Sequence, residues 1–195
     1  MLHKLLNTKQ IVLASASPRR SELLKLIGLK FITIPADIDE DFAYLDQSSP
    51  LKYVKRIAIE KCNVVKDKVS DDCLVISADT IVYHDKQILL KPNDPKQTFS
   101  FLQLLSGKTH QVYTGVCISY NRRLIYDYAK TYVTFKDLSE TEIIDYISTN
   151  EPSDKAGAYG IQGYGSQFIE KINGCYFNVM GFPINLFYKM VVSGL

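Results

Sequence analysis

Short apolar runs alternate with amphipathic stretches along most of this chain, and polar or Gly/Pro-containing segments separate them. Ile11-Val12-Leu13 reads as a buried strand, and Leu23, Leu24, Leu26 and Ile27 follow at helical spacing. Phe31–Pro35 reads as a strand that runs into the acidic loop Asp37–Glu40. Ser49-Pro50 opens a helix to about Lys66, with Val54, Ile57, Ala58 and Lys61 on related faces. Cys73–Ser77 is a buried strand that leads to Ala78-Asp79-Thr80 and continues through Ile81–Tyr83. His84-Asp85-Lys86 turns it into Ile88–Leu90. Asp94-Pro95-Lys96-Gln97 and Ser139-Glu140-Thr141-Glu142 have the form of capping boxes, so helices start there and run to Leu105 and about Ser148. Thr109–Tyr120 and Arg123–Phe135 alternate with period two around Asn121-Arg122, which predicts a long hairpin. Gln167–Ile172 and Cys175–Phe177 read as short strands, and Pro183–Ser193 as a closing helix. An antiparallel hairpin beside a parallel βα part predicts an α/β fold with a mixed twisted sheet flanked by helices. No linker divides the chain, so residues 1–195 are expected to form one domain.

Composition narrows the class. The chain has 195 residues, 46% of them hydrophobic and 23% charged, as in ordinary water-soluble domains. A net charge of +2 is too mild for a nucleic-acid binder, so any anion site must be local, built from a few placed Lys and Arg. Cys62, Cys73, Cys117 and Cys175 form no C-x-x-C pair, which argues against zinc and against a disulfide framework. They are expected to pack as reduced thiols. Met1–Gln10 lacks the apolar stretch of a signal peptide. Val179–Leu195 is interrupted by Gly181, Pro183, Asn185 and Lys189, so no run reaches membrane-spanning length. A cytoplasmic protein with no membrane partner is the expectation.

Candidate chemistry concentrates in two regions. In the first, Leu13-Ala14-Ser15-Ala16-Ser17-Pro18-Arg19-Arg20 carries a strand into a helix. Ser17 suits the N-cap and Pro18 the first helical position. Free N–H groups and the positive end of the helix dipole there, with Arg19 and Arg20, suit a phosphate. Taken alone, the segment fits ordinary helix capping equally well. Asp79 and Thr80 follow an apolar strand, where a carboxylate can hold a divalent cation or orient a water. Glu40 is a second candidate oxygen ligand, and Lys61 and Lys91 are candidate cations. The second region, Glu151–Gly165, is rich in glycine, and Gln162 in it offers both a donor and an acceptor for reading a base edge.

Other motifs fail. Ser106-Gly107-Lys108-Thr109 resembles the end of a P-loop, but Leu102 stands where its first glycine belongs and a strand pattern follows. There is no G-x-S-x-G, and His3, His84 and His110 have no evident partners.

The first region, together with Ala78-Asp79-Thr80, Lys91-Pro92, Ser106–His110, Asp154–Gly163 and Asn178–Pro183, resembles the Maf family in order over nearly the whole chain. The resemblance implies a nucleoside triphosphate pyrophosphatase with two lobes around a cleft, similar in architecture to inosine triphosphate pyrophosphatases. By position, Asp79 resembles the catalytic acid–base residue. Ser15, Arg20, Lys61 and Lys91 resemble the phosphate shell, with Glu40 and Asp79 toward the metal. Arg19, Thr80 and Gln162 resemble the specificity residues of the branch that acts on dTTP and UTP. The implied cofactor is a divalent cation, Mg²⁺ with Mn²⁺ or Co²⁺ as alternatives, and the implied assembly is a homodimer. The chain departs from the family pattern in a short N-terminal extension and in Leu90, where an acidic residue is common. A free aspartate has a pKa of about 3.9, so Asp79 is a weak base, and a role mainly as metal ligand stays open. A relative acting on ITP and a nucleotide-binding regulator without turnover are the alternatives. The intact Asp79 and lysines weigh against the regulator.

Overall fold

A computed structural model of the chain describes residues 1–38 and 49–195. The expected α/β architecture is present. Seven strands among the described residues form one mixed sheet. In chain order, helix α1 is Leu2–Leu5, strand β1 Ile11–Leu13, helix α2 Pro18–Leu26 and strand β2 Ile32–Thr33. Helix α3 is Pro50–Lys66, strand β3 Leu74–His84, strand β4 Gln87–Leu89 and helix α4 Pro95–Leu105. The hairpin strands are β5, Thr109–Tyr120, and β6, Arg123–Phe135. Helix α5, Glu140–Ser148, is followed by three 3₁₀ turns between Glu151 and Phe168, strand β7 Ile169–Asn173, helix α6 Tyr176–Val179 and helix α7 Ile184–Gly194.

The sheet order is β2-β1-β3-β5-β6-β7, with β4 also paired to β3. β1 runs parallel to β2 and β3, while β3–β5, β5–β6, β6–β7 and β3–β4 are antiparallel. β1 leaves the β3 edge after Leu13 opposite Ile76, and β4 meets that edge at Val82. Asp79 lies inside β3, which continues through Ile81–Tyr83 as the sequence pattern predicts. β5 pairs with β3 from Val75 to Tyr83, and β3 itself runs on to His84. The strand end that matters is that of β1, which stops short and opens the sheet edge beside Asp79.

Helix α3 covers one face of β3 and β5 with Val54, Ile57, Ala58, Cys62 and Val65, all fully buried. The other face carries the largest apolar cluster, where Phe182 and Phe187 pack with Leu24, Ile76 and Ile118. The N-terminal extension joins it through Leu2 and Leu6. A third cluster, from α4, α5 and the sheet end, centres on Leu102, Phe135 and Tyr159.

Local chemistry explains most element ends. Ser139 and Glu142 form both halves of a capping box on α5. At α4, Asp94 accepts from the Gln97 N–H at 2.7 Å, while the Gln97 side chain accepts from the Asn93 N–H rather than from Asp94. Two expectations fail. Cys175–Phe177 is not a strand: Tyr176–Val179 is a helical turn. The fully buried Asn178 side chain donates to the Val112 carbonyl and to Thr131 Oγ1, both at 3.0 Å, and so ties that turn to β5 and β6. His110, expected to be isolated, lies 2.7 Å from the Tyr159 hydroxyl through Nε2. All four cysteines are free, and Cys62, Cys73 and Cys117 are buried. No helix among the described residues is long and apolar enough to cross a membrane.

Candidate active site

A cleft of about 700 Å³ opens at the sheet edge that β1 leaves. It brings together Ser15, Arg19, Arg20, Lys61, Asp79, Thr80, Lys91 and Gln162, which lie far apart in sequence. Glu40 lies outside the described residues.

Helix α3 supplies Lys61 from its buried stripe. Ser77, Asp79 and Ile81 alternate on the β3 face beneath it, and Ser77 Oγ donates to the Ala58 carbonyl at 2.6 Å. One turn along, Lys61 Nζ meets Asp79 Oδ1 at 2.7 Å, with only 12% and 11% of the two side chains exposed. An ammonium on a core stripe requires such a partner, because burial strips its hydration and an unpaired charge gets nothing in return. The pair holds a carboxylate at a fixed point of the cleft wall.

Thr80 points to the opposite face, since neighbouring strand residues alternate. There it stands across from Thr114, with the two hydroxyls 2.9 Å apart. Arg20 converges on the same point. Its Nη2 donates to Thr80 Oγ1 at 3.2 Å, its Nη1 to Ser15 Oγ at 3.2 Å and its Nε to the Gly181 carbonyl at 3.0 Å. Thr114 in turn donates to the Asn178 carbonyl at 3.1 Å. A chain of bonds from the buried Asn178 through Thr114 and Thr80 thus fixes the guanidinium. The Thr80 hydroxyl is engaged with Arg20 and Thr114.

The loop from β1 into α2 differs from its expected capping. Ser17 is the N-cap by position, yet its side chain makes no cap bond. Its N–H donates instead to Ser15 Oγ at 3.1 Å, so Ser15 joins the loop backbone to Arg20. Arg19 turns away from Arg20 and pairs with Asp154, Nη1 to Oδ2 at 3.0 Å. Lys155 also binds Asp154, at 2.7 Å. Partial burial pushes the Asp154 carboxyl up, but the bonds and charges of Lys155 and Arg19 together hold it below its usual range. The α2 end of the cleft is thereby joined to the 3₁₀ segment that leads to Gln162.

Sequence reasoning marks Asp154, Glu151 and Asn178 only as parts of longer motifs, and it misses Thr114. The signal for Lys61 is its place on the apolar stripe of α3. For Thr114 there is none beyond strand alternation, because its partners come from distant segments.

The cleft lining mixes charge with apolar surface: Lys61, Lys91, Arg20 and Asp79 share it with Val82, Val112, Tyr159, Ile161, Val179 and Met180. Among the described residues no cluster of three or more His, Cys, Asp or Glu could hold a metal by itself. The hard oxygen of Asp79 fits a cation of the Mg²⁺ type, which takes one or two carboxylates and completes its shell with substrate phosphates and water.

The fold and site define an α/β protein whose mixed sheet opens at one edge into a cleft lined by cations, a carboxylate and apolar side chains. A family model described as Maf-like protein matches residues 10–193, and the chain belongs to that family. It is 45% identical to a dTTP/UTP pyrophosphatase of Caldicellulosiruptor saccharolyticus, covering 93% of this chain and 92% of the relative. It is 47% identical to a protein of the same name from Bacillus cereus, over 92% of this chain and 87% of the other. A third, from Clostridium botulinum, is 44% identical over 95% of this chain and 100% of its own. Among solved structures, the Staphylococcus aureus Ham1 protein matches with a TM-score of 0.53 at 14% identity, covering 96% of this chain and 100% of that one. At that identity the likeness concerns the fold alone.

Proposed function

We propose that this chain hydrolyses dTTP and UTP between the α and β phosphates, giving the monophosphate and pyrophosphate. The observation that carries the reading is the cleft that gathers Arg20, Lys61, Lys91 and Asp79 together with apolar side chains and Gln162. A nucleoside triphosphate has a tetra-anionic tail and a flat base with polar edges, and the lining offers cations for the one and apolar side chains with an amide for the other. The names of relatives at 44–47% identity support the choice of dTTP and UTP.

Arg20, Lys61 and Lys91 would bind the phosphates, because stabilising charge on the transferring group contributes most to catalysis of phosphoryl transfer. Arg20 suits this role because its bonds to Ser15, Thr80 and Gly181 leave it pre-organised, so little further ordering is needed at the moment of reaction. Asp79, held by Lys61, would orient a water toward the α phosphorus; a new P–O bond forms as the Pα–O–Pβ bridge breaks and pyrophosphate leaves. The water's proton passes to Asp79 or to solvent. A divalent cation, held by Asp79 and Glu40 together with the phosphates, would neutralise charge on the triphosphate when bound. Gln162, exposed at the mouth of the cleft, would read the base through its amide. A homodimer and a cytoplasmic setting belong to this reading as well.

The test is pyrophosphate release with Mg²⁺ from dTTP, UTP, CTP, ATP, GTP and ITP, run beside Asp79→Asn. Turnover of dTTP and UTP that disappears in the variant supports the reaction and the role of Asp79. Preference for purines would discard the base assignment, and no turnover with any nucleotide or metal would discard catalysis.

A further inference from the structure

Gln162 sits at the crest of a tight loop, and both legs of that loop are held through one side-chain unit. The Glu151 carboxylate accepts three hydrogen bonds. The Tyr164 N–H donates to Oε2 at 2.8 Å, and the Gly165 N–H to Oε1 at 3.1 Å. The Tyr146 hydroxyl donates to Oε1 at 3.0 Å. That hydroxyl in turn accepts the Gly160 N–H at 3.1 Å. One leg is therefore fastened at Gly160, the other at Tyr164 and Gly165, with Gln162 between them.

The glycines report how closely the loop wraps this unit. A Cβ on Gly163 would stand 2.4 Å from Glu151 Oε2, and one on Gly165 would stand 2.7 Å from the Tyr146 hydroxyl and 2.6 Å from the Gly160 carbonyl. Gly163 also has φ of +69°, which disfavours other residues there. The loop is shaped around the carboxylate, not merely near it. A carboxylate suits this task because it only accepts, and each of the three groups bonded to it here is a donor.

We infer that Glu151, acting with Tyr146, is a positioning residue for base selection: it fixes the loop that presents Gln162 to the base, while Arg20 and Lys61 are held by other bonds. This rests on the reading of the cleft as a pyrimidine nucleotide site. It predicts a loss of discrimination, not a uniform loss of rate. Among the described bonds, Arg20 is held by Ser15, Thr80 and Gly181 and Lys61 by Asp79, and none of these four residues bonds to Glu151.

Glu151→Gln keeps the shape but turns one oxygen into a donor that must face an N–H. Tyr146→Phe keeps the buried ring and its edge contact with Phe168 and removes only the bridging hydroxyl. The measurement is kcat/KM for UTP and for CTP in wild type, both single variants and the double variant, with thermal melting of each. Misplacement of a reading group by about an ångström is worth roughly 10- to 100-fold. The UTP/CTP ratio is expected to fall at least about tenfold in Glu151→Gln and by less in Tyr146→Phe, with kcat for UTP changing by much less. The double variant should match Glu151→Gln, because the two residues act as one unit. An unchanged ratio, or equal losses for both nucleotides, overturns the inference. If Glu151→Gln does not fold, Tyr146→Phe decides on the same criterion. Failure of the pyrimidine-site reading looks different: wild type itself would then not prefer UTP, and the loop assignment is overturned with it.

Discussion

Acid should destabilise this protein through His110. The ring is 1% exposed, packed edge-on against Phe135 and Tyr159 with centroids 5.0 and 5.2 Å away. Nε2 meets the Tyr159 hydroxyl, and Nδ1 has no partner among the described residues. A second proton would place a cation and an unmatched N–H in an apolar shell, so burial, with a smaller contribution from His84, pushes the pKa down to about 3 from 6.5. The unfolded chain then binds more protons than the folded one at every pH between those values. Stability is full above pH 6.5 and falls as pH drops, by about 1.36 kcal/mol per unit. Going from pH 7.5 to pH 5 crosses about 1.5 units of that window, a loss of about 2 kcal/mol. Glu142, held down to about 2 mainly by Lys136, acts in the same direction only below its ordinary value of 4.5, outside this interval. Urea unfolding at pH 7.5 and pH 5.0 for wild type and His110→Gln measures the difference. The variant starts less stable, yet its stability should change little between the two pH values. An equal slope in both proteins would refute the assignment.

Other perturbations have equally definite outcomes. Lys61→Met should cost about 3 kcal/mol in unfolding experiments by removing the ammonium that meets the buried Asp79 carboxylate, and adding Asp79→Asn should recover most of it. Thr114→Val removes a fully buried hydroxyl that bridges Thr80 and the Asn178 carbonyl, so it should cost about 1–3 kcal/mol and raise KM through a looser Arg20, while Thr114→Ser restores both. Gln162→Ala should widen base choice more than it slows turnover in the nucleotide panel. A uniform rate loss across all bases would remove Gln162 from base reading.

The elements are largely legible along the chain because their signals are local. The stripe of Val54, Ile57, Ala58, Cys62 and Val65 requires a helix packed on a sheet, Ser139 and Glu142 mark the start of α5, and alternation through Thr109–Phe135 marks the hairpin. The short turn at Tyr176–Val179 reads wrongly as a strand because four residues carry too little periodicity to separate the two, and the bonds of Asn178 to β5 and β6 decide it. The same division runs through the site. Residue types at intervals mark Arg19, Arg20, Lys61, Asp79, Lys91 and Gln162 as candidates, since cations, a carboxylate and an amide have chemistry that does not depend on neighbours.

Which of them meet is decided only in three dimensions. By itself, the sequence determined the α/β class, the helix on which Lys61 lies buried, and the strand that sets Asp79 and Thr80 on opposite faces, because a period of 3.6 or 2 is a property of consecutive residues. The tertiary structure decided that β1 stops short to open the cleft, that Arg19 goes to Asp154 while Arg20 goes to Thr80, and that Glu151 shapes the Gln162 loop. Those pairings join positions more than ten residues apart, and a hydrogen bond or ion pair leaves no periodic trace in the chain between its partners.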